Sequence, residues 1–360
     1  MRKLFLHAAH QQSGAKFSKV QDCSIPSHYG NVILELTALN QYIGLLDRSY
    51  LGKISLTGKD ALELINRIST NDLQYLAVGT MCDTAFVTPK GRLIDYCRIL
   101  KNGDELIIIT SFFQAQHLIE WINRFIILED VTVKDVSDDY LWMTLFGPRY
   151  KSFLGAFSDK NITDKDEAIW LSLEGYTFPA LRNTNFKVPA YNFCFLKEES
   201  HIIFPRLLEQ LTLLNGKLIG DRAFQIIRVE SGMPDWGTEI TKDYNPLEAR
   251  LIHAISFTKG CYTGQEVIAR LDTYDKVQKY LMIIELGKSI AQQPPLDVFI
   301  DEESVGHLTS YAYDPIYKHS IGLGYIKKMY AQQDNIYVEV QVKSKRIPAK
   351  LRLPKSSYVD

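Results

Sequence analysis

The stretch Phe257-Thr-Lys-Gly-Cys-Tyr-Thr-Gly-Gln-Glu-Val267 carries the densest chemistry in the chain. Lys259, Gly260 and Cys261 supply a cation, a flexible backbone and a thiol in succession. Thr263 followed three residues later by Glu266 has the spacing of a capping box, in which each side chain takes a backbone N–H of the other residue. The pattern predicts a helix opening at Gly264 and running through Ile268 to about Arg270. Cys261 then lies just before a helix N-terminus and two residues from a lysine, and both features favour thiolate. On spacing alone, a free cysteine in an ordinary loop-to-helix turn is the better reading.

Upstream, hairpins and helices mix. Ile33 to Leu46 reads as a helix or strand, Leu51 to Leu56 as a strand, and Ala61 to Ile68 as a helix with a continuous apolar face. Thr80 to Thr88 and Leu93 to Leu100 read as a hairpin turning through Pro89-Lys-Gly91, with a third strand at Glu105 to Thr110. A helix is expected from Gln114 to Phe125 and a strand from Val131 to Val136. Strands in hairpins mixed with helices indicate an α+β fold. Residues 1 to about 30 show little apolar periodicity and read as a loosely packed lead-in broken at Pro26.

Leu141 to Phe146, stopping at Gly147-Pro148, opens a second unit. It has a short helix at Arg149 to Phe157, strands near Ala168 to Leu173 and Tyr191 to Leu196, and a helix from Pro205 to Leu214. Asp221 opens a helix that Gly232 ends. From Gln278 onward helical period gives way to short strands between turns, the pattern of a small closed barrel.

The 360 residues carry a formal net charge of -1, so no global field draws in nucleic acid or an anionic membrane. The basic run from Lys343 to Lys355 reads as a solvated strand face. Five scattered cysteines without a C-x-x-C argue against a disulfide framework, a zinc ribbon or a held iron–sulfur cluster, and no metal site is expected. The opening residues start like a secretory signal, but His7, His10, Gln11 and Gln12 interrupt the apolar run, and no stretch is long enough to span a bilayer. A soluble, cytoplasmic protein is expected. No Walker loop, G-x-G-x-x-G, H-E-x-x-H or G-x-S-x-G occurs.

Lys-Gly-Cys-Tyr-Thr-Gly-Gln-Glu resembles the signature of the YgfZ-type folate-binding proteins, relatives of the glycine cleavage T-protein (aminomethyltransferase). Leu46-Asp-Arg-Ser49, Thr70-Asn-Asp72, Gly91-Arg-Leu-Ile-Asp95, Phe146-Gly-Pro148, Arg228-Val-Glu-Ser-Gly232 and Ser304-Val-Gly-His-Leu-Thr-Ser310 follow in the order expected for that superfamily. The resemblance implies a three-domain cloverleaf around a central folate-sized hole. A first domain at 33–140 would be completed by 215–275, with 141–214 inserted and a barrel at 276–356. It implies a tetrahydrofolate, or a one-carbon derivative of it, as cofactor and iron–sulfur proteins as partners, with neither membrane nor direct nucleic-acid binding. It also makes Cys261 the functional thiol, in maturation or repair of iron–sulfur enzymes and in the tRNA modification that depends on them.

The same resemblance marks further residues. Asp95 falls where T-proteins carry Gly-Gly-Ile-x-Asp-Asp with a catalytic acid, but Tyr96 stands in the second acid's place. Because neighbouring strand residues face opposite ways, Asp95 serves as that acid only if it is the first of the two that works. Arg222 matches an arginine of the T-protein folate pocket. Glu230 sits unfavourably at a helix C-terminus, which suggests an ion pair or a polar ligand. Trp236 is a stacking platform or a core tryptophan, and Lys259 and Tyr262 complete the cofactor-binding set. Tyr191-Asn-Phe-Cys-Phe195 lacks the glutamate with which T-proteins grip the pterin. Three functions stay open: a YgfZ-like folate-binding protein, a true aminomethyltransferase, and a scaffold that binds nothing.

Overall fold

The computed structural model describes residues 1–290 and 292–354; Lys355 of the basic run and the last two residues of the expected barrel span lie outside them. The chain divides into two compact units. One comprises 1–64, 74–82 and 98–224, and the other 65–73, 83–97 and 225 onward. In the first unit Leu51–Thr57 pairs with Glu105–Phe112 on one side and Thr132–Asp135 on the other, and Glu105–Phe112 pairs in turn with residues 98–102 at the end of the strand Leu93–Asn102.

The first unit also holds a six-stranded sheet. Its order is Ala168–Leu173, Tyr176–Arg182, Ala190–Leu196, Tyr140–Phe146, Gly44–Asp47 and Lys217–Leu218. Tyr140–Phe146 is central, pairing Trp142 with Cys194 on one side and Met143 with Asp47 on the other. Leu145, Phe153, Phe178, Phe193 and Leu207 pack on this sheet and are buried. Tyr176–Arg182 goes unread in the sequence because Pro179 interrupts its strand pattern; the proline sits opposite Trp170. The helix Ser200–Leu213 likewise starts five residues before its Pro205, which lies inside it.

The N-terminal segment corrects the expectation of a loose lead-in. Arg2–Lys3, Cys23–His28 and Lys16–Val20 form a three-stranded sheet, with the helix His7–Gln12 between its strands in sequence. His10 is fully buried, its Nε2 2.8 Å from Asp47 Oδ2 and its Nδ1 2.8 Å from the Tyr29 hydroxyl. The segment is held by this polar contact and by buried Cys23 and Ile25, not by a periodic apolar face. Periodicity alone therefore did not reveal it.

In the second unit six strands close a barrel in the order Lys279–Leu286, His319–Lys327, Glu303–Asp314, Leu296–Ile300, Tyr337–Val342 and Lys345–Arg352. Met282, Ile284, Leu308, Ile326, Val340 and Leu351 fill its core. A register shift between Leu308 and Ser310 re-aims Thr309, as bulges do. Thr309 Oγ1 donates to Glu239 Oε1, and the Arg228 guanidinium reaches Glu239 Oε2 at 3.2 Å and Ser310 Oγ at 3.1 Å. Arg228 lies on the helix Asp221–Glu230, which ends before Gly232 at φ +71° as expected. An ion pair thus fastens the end of this helix to the barrel. Among the described residues no helix is long and apolar enough to cross a membrane.

Candidate functional site

The Phe257–Val267 loop is held by its own side chains. Lys259 is buried, and its ammonium donates to the carbonyl oxygens of Asn66 at 2.5 Å, Ser69 at 3.1 Å and Asn71 at 2.5 Å. Carbonyls near the end of the helix Ala61–Ile68 are short of partners, and this cation supplies them. Tyr262 is buried against the same ammonium, 5.4 Å from ring centroid to Nζ, and burial pushes its hydroxyl up to about 12. Lys259 and Tyr262 therefore brace the loop, whereas Cys261 stands exposed.

The capping box does not form. The helix runs from Gln265 to Thr273, and its N-cap is Gly264, left-handed at φ +82° with no side-chain cap. Thr263 instead donates its N–H to Arg67 O at 3.2 Å. A Cβ at Gly264 would lie 2.7 Å from Thr88 O and 3.4 Å from Gly91 Cα, so the loop packs glycine to glycine on the hairpin turn. Two of the quoted motifs, around Gly91 and around Gly264, are thus parts of one contact.

Asp95 and Tyr96 part company on their strand. Asp95 is 1% exposed; its Oδ1 accepts from the Tyr96 N–H at 2.9 Å, and the Cys97 thiol lies 3.4 Å from its Oδ2. The Tyr96 hydroxyl donates to Asp83 Oδ2 at 2.5 Å and lies 3.0 Å from His253 Nε2, which is itself 3.5 Å from that Asp83 oxygen. The Tyr96 and His253 rings meet edge to face, 5.8 Å apart. Asn71 sets this cluster in place, its amide donating to Asp83 O at 2.8 Å and His253 O at 3.0 Å. Thr70 Oγ1 donates to Ala254 O at 2.5 Å. Sequence reading missed Asp83 and His253. The quoted Thr70-Asn-Asp72 was the one available signal, since its polar side chains turn out to bind those two segments together.

The other marked residues do not join the cluster. Arg222 is exposed and belongs to the first unit. Glu230 is half-buried at its helix end. Trp236 is half-buried in a tight turn, its backbone bridged to Ile240. The buried acid and base nearby are Glu239 and Arg228, side chains 0% and 5% exposed, in a structural ion pair. Among the described residues no three His, Cys, Asp or Glu side chains are grouped to hold a metal ion.

Comparison with known proteins follows the same outline. The family model described as the GCVT N-terminal domain matches residues 6–259, and the glycine cleavage T-protein C-terminal barrel domain matches residues 279–358. A protein of Arabidopsis thaliana named as a chloroplastic transferase is 30% identical over 324 residues, covering 88% of this chain and 73% of the relative. The aminomethyltransferase of Bacillus pumilus is 25% identical over 365 residues, covering 98% and 97% of the two chains. The crystal structure of the glycine cleavage system aminomethyltransferase T from Bartonella henselae superposes with a TM-score of 0.83 at 18% identity, over 98% of this chain and 97% of that one. That likeness is one of fold.

Proposed function

Because the chain belongs to the glycine cleavage T-protein family, we propose that it binds a tetrahydrofolate and works through the thiol of Cys261, in the manner of the YgfZ-type proteins its signature resembles. The observation that carries this reading is the contrast within one loop. Of the five cysteines, Cys23, Cys97 and Cys194 are buried, Cys82 is half-buried, and Cys261 alone is exposed. Its neighbours Lys259, Tyr262 and Gly264 are all engaged in holding the loop. A thiol presented on a braced loop near a helix N-terminus suits nucleophilic or redox chemistry. The process served is maturation or repair of iron–sulfur enzymes and the tRNA modification that depends on them.

The rival reading, an aminomethyltransferase, draws on the names of the relatives. It requires a carboxylate that reaches folate, and Asp95 is sealed between its own strand neighbours. Calorimetry with folinic acid comes first: heat of binding is expected, and none would favour a bare scaffold. Complementation follows, in a strain lacking its own such protein. Cys261→Ala is expected to bind folinic acid and to leave iron–sulfur enzyme activity unrestored. Full restoration by that variant would remove the thiol from the mechanism. Ammonia release from an aminomethyl-lipoyl carrier protein would favour the transferase.

A further inference from the structure

We propose that Lys3, His7, Gln11 and Lys16 form a binding site for the phosphate group of a small phosphorylated molecule, a site that does not depend on the folate reading. These side chains line one crevice of about 480 Å3, with the ring of Phe17 beside them. The crevice is built from a single stretch of chain. Lys3 ends the strand Arg2–Lys3, and His7 and Gln11, one helical turn apart, share a face of the helix His7–Gln12. Gly14, left-handed at φ +85°, turns the chain back so that Lys16 and Phe17 open the strand Lys16–Val20 alongside. The His7 and Phe17 rings meet at 4.1 Å between centroids. The frame under them is fixed: buried His10 ties the helix to Asp47 and Tyr29, and Leu4, Leu6 and Ala15 are buried. A site held this way needs no rearrangement before a ligand arrives.

The charges indicate what the crevice takes. Among the described residues no carboxylate lines it, and neither Lys3 nor Lys16 pairs with an acid. Exposed lysines elsewhere in this unit do pair: Lys19 with Asp22 at 3.7 Å, Lys151 with Asp164 at 3.0 Å and Lys160 with Asp166 at 2.5 Å. Two ammonium groups facing one crevice repel each other, and a dianion between them replaces that repulsion with attraction. His7 Nδ1 is sealed from solvent without a partner, so the imidazole meets the crevice through Nε2. Burial, then Lys3 and His10, hold the His7 pKa below the usual histidine range, so the ring is neutral at pH 7 until an anion arrives. Lys3 and Lys16 from the flanking strands and His10 on its own helix are the charged or titratable groups around it, and no acid offsets them. An ammonium acts as a point charge and suits tetrahedral phosphate. A planar carboxylate is better met by the fork of an arginine, and no arginine lines this crevice. About 480 Å3 exceeds what a bare phosphate fills, which leaves room for the carbon skeleton of an ester.

The test follows the histidine C2–H signals of the full chain by NMR, with His7 assigned through His7→Gln. Inorganic pyrophosphate and ribose 5-phosphate are each compared with sodium chloride at matched ionic strength. Either phosphate is expected to raise the His7 titration midpoint by about one pH unit, a tenfold gain in proton affinity, and sodium chloride to leave it nearly in place. Calorimetry then measures pyrophosphate binding directly. Lys3→Gln combined with Lys16→Gln is expected to weaken it by about tenfold or more while the variant melts like the wild type. Lys151→Gln combined with Lys160→Gln, which removes two paired lysines, is expected to change nothing. A His7 midpoint that sodium chloride moves as far as pyrophosphate would overturn the proposal. So would pyrophosphate binding that survives the loss of Lys3 and Lys16, or that falls equally in the control. An RNA oligonucleotide bound more tightly than pyrophosphate through the same two lysines would overturn it in favour of a polymer.

Discussion

Two lysines at opposite ends of the burial problem illustrate what single residues contribute. Lys259 satisfies three carbonyls, so Lys259→Met should lower stability by about 2 kcal/mol, the cost of unpairing buried acceptors. Urea unfolding would measure this, and an unchanged midpoint would show that the carbonyls find water instead. Lys53 is fully buried, donating to Ser49 O at 2.7 Å and Ser137 O at 3.0 Å, and burial lowers its pKa from 10.5 to about 8. A thiolate at Cys194 would raise that value again, but burial pushes the Cys194 thiol up to about 12, so it stays neutral. Between about pH 8 and the unfolded value the denatured chain holds a proton that the folded one has released. The contribution of Lys53 to stability should therefore rise with pH across that window, by up to about 3 kcal/mol at its upper end. Burial also pushes the Cys23 and Cys194 thiols up, which acts in the opposite sense over the same window, so the lysine is read as a difference: urea unfolding should favour wild type over Lys53→Met by more at about pH 9.5 than at about pH 8.

At the scale of elements, the hairpin turn and the start of the helix Gln265–Thr273 form one joint made possible by glycine. Gly264→Ala would force a left-handed alanine against a carbonyl oxygen 2.7 Å away, at a cost of about 2 kcal/mol or more. Gly91→Ala, at φ +68°, meets side-chain atoms of Val267 at 3.1 Å and Ile268 at 3.5 Å rather than backbone, and should cost about 1 kcal/mol. Thermal melts that reverse this order would mean the joint is looser than its contacts imply. The elements themselves were largely legible, because helices such as Ala61–Ile68 and the barrel strands repeat apolar residues at their own periods. The capping box was not, because its two residues fit a local rule that tertiary packing overrode: the Thr263 N–H found Arg67 O, and Gly264 took the cap. Asp83 and His253 were invisible for a related reason. Their partner is 13 residues away in one case and 157 in the other, and no local pattern encodes such meetings.

Over the whole molecule, each unit depends on a polar fastening that its apolar clusters do not supply. In the second unit it is Glu239, which takes Arg228 from the helix, Thr309 from the barrel bulge and, through its carbonyl, the Tyr325 hydroxyl at 2.8 Å. Glu239→Gln leaves the buried Arg228 charge only the half-exposed Asp235 carboxylate at 4.0 Å and should cost about 2 kcal/mol. Calorimetric scanning would register it as a drop in melting temperature, and a small drop would indicate that water relieves the arginine. In the first unit the equivalent fastening is His10 between Asp47 and Tyr29, which no periodicity announces.

The solitary exposure of Cys261 carries a practical corollary. A maleimide dye offered in brief, limiting amount should attach at that sulfur first, with no need for a cysteine-free background. Its fluorescence would then serve as an optical gauge seated on the braced loop. Any small molecule that settles beside that loop should change the colour or brightness of the probe within the time of mixing.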